Sequence, residues 1–123
     1  MTTGEQDRPV VTVLTEAVDA LAYRATDALY REQPDLWRMG ERGRARTLED
    51  FVRHFEALAT LDSALFRDHV AYCQKLFANH GFPAAWLTDA WRIMADAIHS
   101  ELPAAVADQA IQVIRTASGQ PAR

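Results

Sequence analysis

"TLEDFVRHFEALATLDSALFRDHVAYCQKLFANHGFP", residues 47–83, decides the fold. Leu48, Phe51, Phe55 and Leu58 recur at three- and four-residue steps, the spacing that stacks side chains on one face of an α-helix. Thr47 with Asp50 three residues later fits an extended capping box, so a helix is expected to begin there. Glu49 and Asp50 place negative charge in its first turn, where the helix dipole favours it. "TLDS" then breaks the period, with Asp62 or Ser63 as the next N-cap. Leu65, Phe66, Val70, Cys73, Leu76 and Phe77 carry a second helical period to "NHG", where Gly81 supplies a left-handed stop. Pro83 opens another helix. Nothing here alternates with the period of two that a half-buried strand requires.

The same period extends outward in both directions. Val10, Leu14, Ala17, Val18, Leu21, Ala25, Ala28 and Leu29 make one stripe of a helix about twenty residues long, closed before Pro34. "PDLWRMGERGR" connects it to the next helix, with room for a helical turn at Leu36, Trp37 and Met39 before Gly40 and Gly43 break it. Downstream, Leu87, Ala90, Trp91, Met94, Ala97 and Ile98 turn one helix inward. Pro103 punctuates it, and Val106, Ala110, Ile111 and Ile114 form the stripe of the last. The expected architecture is all-α, about five main helices in one domain over 1–123, with frayed tails at about 1–8 and 117–123.

Composition narrows the function classes. At 123 residues the chain can build one substantial core, and a formal charge of −4 argues against a nucleic-acid binder, which carries a basic excess. No apolar run reaches the roughly 20 residues of a membrane span. "MTTGEQDRPVV" lacks a basic segment followed by an apolar one, so a secretory signal is not expected and a cytoplasmic location is. One cysteine, Cys73, excludes an internal disulfide, and a cysteine-based zinc site is not expected.

Thr47, Asp50 and His54 lie at i, i+3 and i+7 and share a helix face that overlaps the apolar stripe. They read either as a pocket wall or as a cap, a first-turn acid and a histidine at the rim of the core. Arg42, Arg44 and Arg46, ahead of the expected helix start, are candidates to clamp the carboxylates of an anionic ligand, or form a solvated loop paired with acids. No two of the histidines His54, His69, His80 and His99 lie at i and i+4, so no metal site is expected. His69 alone has the character of a haem ligand. Cys73 reads as a buried, inert thiol, and Trp37, Trp86 and Trp91 as core aromatics. No nucleophile–base pair, phosphate cradle or carboxylate couple is present, so catalytic residues are not assigned and an enzyme is not expected.

From Thr47 to Pro103 the chain resembles the chromophore-bearing part of phycobiliproteins, globin-like helical proteins in which a Cys-x-x-Asp motif opens a helix and a Gly-x-Pro follows the next. Thr47, Asp50, "LDS" and "GFP" at 81–83 match in order. The resemblance implies a globin-like fold in which Asp50 holds the pyrrole N–H groups of a linear tetrapyrrole (bilin). Thr47 stands in place of the thioether-forming cysteine, which makes attachment non-covalent, and Glu49 replaces an arginine that meets a propionate. The stretch is also similar to a helical domain of bacterial cobalamin-binding sensor proteins. Together these imply a sensor or small-ligand-binding module, with a bilin as ligand and haem as the lesser alternative. Its site would be Thr47, Asp50 and His54, the arginines Arg42, Arg44 and Arg46, and walls of Phe51, Phe55, Cys73 and Trp91. The rival reading is a ligand-free interaction module. In it the Val10–Leu29 stripe, with Tyr23 and Tyr30, forms a homodimer.

Overall fold

The computed structural model describes residues 9–119, so the expectations for 1–8 and 120–123 fall outside the described residues. It is all-helical, with no strand among those residues: α1 (Val10–Glu32), a 3-10 turn (Pro34–Met39), α2 (Gly40–Ala59), α3 (Ser63–Asn79), α4 (Ala84–Glu101) and α5 (Ala104–Ser118). No helix of the described chain is long and apolar enough to cross a membrane.

α1 is the axis of the bundle. It packs chiefly against α2 and against α4, and its inward face carries Leu14, Val18, Leu21, Ala22 and Ala25. Ala22 and Ala25 are fully buried, and small residues of that kind let neighbouring helices approach closely. The stripe on which the homodimer expectation rested is therefore covered within the chain. Tyr30 is buried beside Trp37, and Tyr23 alone of the pair is exposed. A single cluster of apolar side chains draws on all five helices.

Three local signals hold. Asp62 caps α3, its carboxylate accepting from the N–H groups of Ala64 at 2.9 Å and Leu65 at 3.1 Å. Gly81, at φ 72°, ends the helix. Its N–H donates to Ala78 and that of Phe82 to Phe77, while the Phe77 and Phe82 rings meet at 5.5 Å. That set of two bonds and one apolar contact is a Schellman stop. Pro83 and Pro103 sit immediately before α4 and α5, where a missing N–H costs nothing.

Two expectations are corrected. α2 begins at Gly40 and not at Thr47, so Arg42, Arg44 and Arg46 are helical residues and not a loop. Thr47 caps nothing; its hydroxyl donates to the Gly43 carbonyl one turn earlier. Gly40 does mark a junction, with φ 71°, but Gly43 is a packing residue. A Cβ at Gly43 would stand 2.6 Å from the Met39 Cβ, so glycine is what lets the 3-10 turn fold back onto α2. The second correction is at the end of the chain, where α5 runs on to Ser118, into the stretch expected to fray.

Candidate functional site

The functional side chains that converge lie between α2 and α3. His54 of α2 and His69 of α3 meet nitrogen to nitrogen, Nδ1 to Nε2, at 2.8 Å. The Cys73 Sγ lies 3.6 Å from the same His69 Nε2. One donor atom from each of the three residues falls within 4.8 Å of the others. Each helix brings its residues by the same device. Asp50 and His54 are four residues apart on α2, as are His69 and Cys73 on α3, and that spacing places a pair on one helix face.

Aromatic rings surround the cluster. Trp91 of α4 lies 5.0 Å from the His54 ring, edge to face, and Phe51 lies 5.9 Å away. Phe66 touches both His69 and Trp91. Phe55, tilted against Phe51 at 6.4 Å, fills the layer beneath. Among the described residues, Thr26 and His54 are the polar residues buried as a whole. The Thr26 hydroxyl is satisfied by the Ala22 carbonyl at 2.8 Å, which leaves His54 as the one whose partner comes from another helix.

Burial sets the charge state. It pushes the His54 imidazole down to about 3, helped by the facing His69 and by Arg53. Burial lowers His69 as well. It pushes the Cys73 thiol up to about 11, and the Asp50 charge adds to that. At neutral pH the cluster is two neutral imidazoles and a protonated thiol, joined by one N–H···N bond in either direction. Asp50, half-buried, is raised by desolvation against the pull of Arg53 and Arg46.

The sequence-derived site divides accordingly. His54, Cys73, Trp91 and Phe51 come together, with Phe55 behind them and Asp50 at the edge, where it pairs with Arg53 at 3.4 Å. Thr47 is turned to its own backbone. The arginines do not gather around the cluster: Arg44 is bound to Asp27 of α1, and Arg42 and Arg46 are exposed. His69 was read only as a lone haem ligand, and its pairing was missed. The signal that marks it is the i, i+4 spacing of His69 and Cys73, a histidine with a cysteine and not with a second histidine.

A groove of about 160 Å³, lined by Phe77, Phe82 and Leu87 among others, reaches Trp91 from the far side. Its lining includes Ser118, whose buried hydroxyl has no hydrogen-bond partner. That volume is close to the roughly 150 Å³ of an apolar cavity that takes up benzene. No protein-family model, curated protein or solved structure matches the chain.

Proposed function

We propose that this chain is a non-enzymatic small-ligand-binding or sensor module of globin-like, phycobiliprotein-related type, working in the cytoplasm. Its recognition centre is the His54–His69–Cys73 cluster with Asp50 at its rim. One observation carries the reading: a neutral imidazole pair, His54 buried and His69 half-buried, is bonded across two helices at 2.8 Å among aromatic rings. Stability alone gives no reason for it, since replacing both partners of a buried hydrogen bond by apolar groups of the same shape is close to neutral. Recognition of a ligand does give a reason.

A linear tetrapyrrole held non-covalently is the ligand this reading names, with haem, through His69, as the lesser alternative. Asp50 supports it, a half-buried carboxylate one turn from His54 that is available to accept pyrrole N–H bonds. Phe51, Phe66 and Trp91 occupy the space beside the imidazoles, so a ligand of that size requires these rings to move. Protein purified from cells making haem and biliverdin should carry a visible absorption band that is lost on denaturation. Asp50→Ala should weaken binding about 5- to 150-fold, the equivalent of about 1–3 kcal/mol for unpaired donors. Absence of any band with either pigment would remove the tetrapyrrole reading.

A second reading, a homodimeric interaction module, is favoured by a different surface from the one first expected. Phe82 and Trp86 are exposed, their rings tilted against each other at 5.3 Å, and Leu65, Tyr72 and Leu76 of α3 are exposed too. Sedimentation at micromolar concentration separates the cases, a mass near 13.8 kDa rejecting the dimer.

A further inference from the structure

We infer that His54, His69 and Cys73 form a binding site for a thiophilic divalent metal ion, zinc in the first instance. The inference goes beyond the organic-ligand reading and does not depend on it.

The donor set is the first argument. Two imidazoles and a thiol converge from adjacent helices, and carboxylate oxygens, which magnesium and calcium require, are not part of the close cluster. Imidazole nitrogen with thiolate sulfur is a zinc set. Spacing is the second. Tetrahedral zinc, with bonds of about 2.0–2.3 Å, holds two nitrogens about 3.3 Å apart and a nitrogen and a sulfur about 3.6 Å apart. The His69 Nε2–Cys73 Sγ distance is already 3.6 Å. The two imidazole nitrogens, at 2.8 Å, must open by about half an ångström. That is a rotamer adjustment and leaves the backbone in place.

The third argument is rigidity. Trp91, Phe51 and Phe66 pack around the two imidazole rings, and each ligand projects from the middle of a helix. Binding breaks the Cys73 S–H bond, forms a metal–sulfur bond and releases that proton to solvent. The N–H···N bond between the imidazoles gives way to two metal–nitrogen bonds, the bridging proton moving to the other ring nitrogen. Three protein ligands leave a fourth position for water or for Asp50, one turn before His54 on the same helix.

The test uses the full chain, reduced and metal-free, titrated with cobalt(II) as the spectroscopic probe. Tetrahedral d–d bands and a thiolate-to-cobalt charge-transfer band should grow together, saturate at about one ion per chain and vanish on adding zinc. Cys73→Ser should abolish the charge-transfer band. His54→Gln and His69→Gln should each weaken cobalt binding at least about tenfold. His99→Gln, away from the cluster, should leave the titration unchanged. Circular dichroism of each variant checks that it is folded. No tetrahedral spectrum in the folded wild-type chain overturns the inference, whatever the variants do, and so does a charge-transfer band that survives Cys73→Ser. A chain that binds a bilin and no cobalt removes the metal site alone; one that binds cobalt and no bilin removes the tetrapyrrole alone.

Discussion

Among the polar knots that tie helices together in the described residues, two are opposites. At the surface, Arg92 of α4 grips Glu32 at the end of α1 through two contacts, 2.6 Å and 3.3 Å, with Asp96 at 3.4 Å beside it. Arg92 and Glu32 are each 44% exposed, and every member is charged. Inside, His54 and His69 tie α2 to α3 by one bond, and every member is neutral. The first knot has more contacts and the second has more at stake. Water replaces any surface bond that breaks, whereas a buried group that loses its partner bears its full desolvation cost.

Removing one side of each knot should make that difference measurable, beginning with the larger effect. His54→Ala opens a void among Phe51, Trp91 and His69, and leaves the half-buried His69 Nε2 only the Cys73 thiol at 3.6 Å as a partner. The lost hydrogen bond costs about 1 kcal/mol, to which the cavity adds the larger part. Denaturant unfolding should show a total of several kcal/mol. The pairing itself is isolated by a cycle. His54→Leu with His69→Leu should be less destabilising than the sum of the two single changes, because the double variant leaves no orphan. Additive losses would mean that the 2.8 Å contact carries no coupling.

Acid should act on the inner knot through its buried histidine. An unfolded histidine titrates near 6.5, while His54 in the fold stays neutral down to about 3. Between those values the unfolded chain holds a proton that the folded chain does not. The contribution of His54 is therefore fully present above about pH 6.5 and is lost as pH falls toward 3, by about 1.4 kcal/mol per pH unit in mid-window. His69, shifted the same way, steepens the slope. Asp50, raised by burial, works in the opposite sense and offsets part of the loss at the acid end. Urea unfolding at pH 7, 6 and 5 should show the decline, and His54→Gln should flatten it. Equal slopes in the two proteins would place His54 in a far wetter environment than the one described.

The local caps differ from the inner knot in legibility too. Asp62, Gly81, Pro83 and Pro103 were readable because capping is decided within a few residues. The start of α2 was not. Gly43 looks like a breaker until the Met39 Cβ is known to lie 2.6 Å from where its own would be, and that closeness comes from the 3-10 turn running straight into α2, a junction that residue type does not reveal. The α1 stripe was read correctly as apolar, but its covering could not be, since a stripe is silent about whether its partner is in the same chain. His54 and His69 are fifteen residues apart on different helices, and only the turn at Leu61 and Asp62 brings them together. His69 and Cys73, by contrast, were a visible pair passed over by counting residue types separately.

The smallest effect belongs to the knot with the most contacts. Arg92→Ala should cost at most about 1 kcal/mol, the upper range for an exposed ion pair, here with bidentate geometry. Most of that should be electrostatic, because the guanidinium is partly solvated and its charge is favoured first by the hydrogen bond to Glu32 and then by the charges of Glu32, Asp89 and Asp96. At 1 M salt the Debye length falls to about 3 Å, and the difference between wild type and variant should shrink accordingly. His54→Ala offers the control, because its loss comes from packing and a hydrogen bond between neutral groups and should not screen. If Arg92→Ala keeps its full cost at high salt, the arginine stem contributes by packing α4 against α1, and the outer knot would then resemble the inner one.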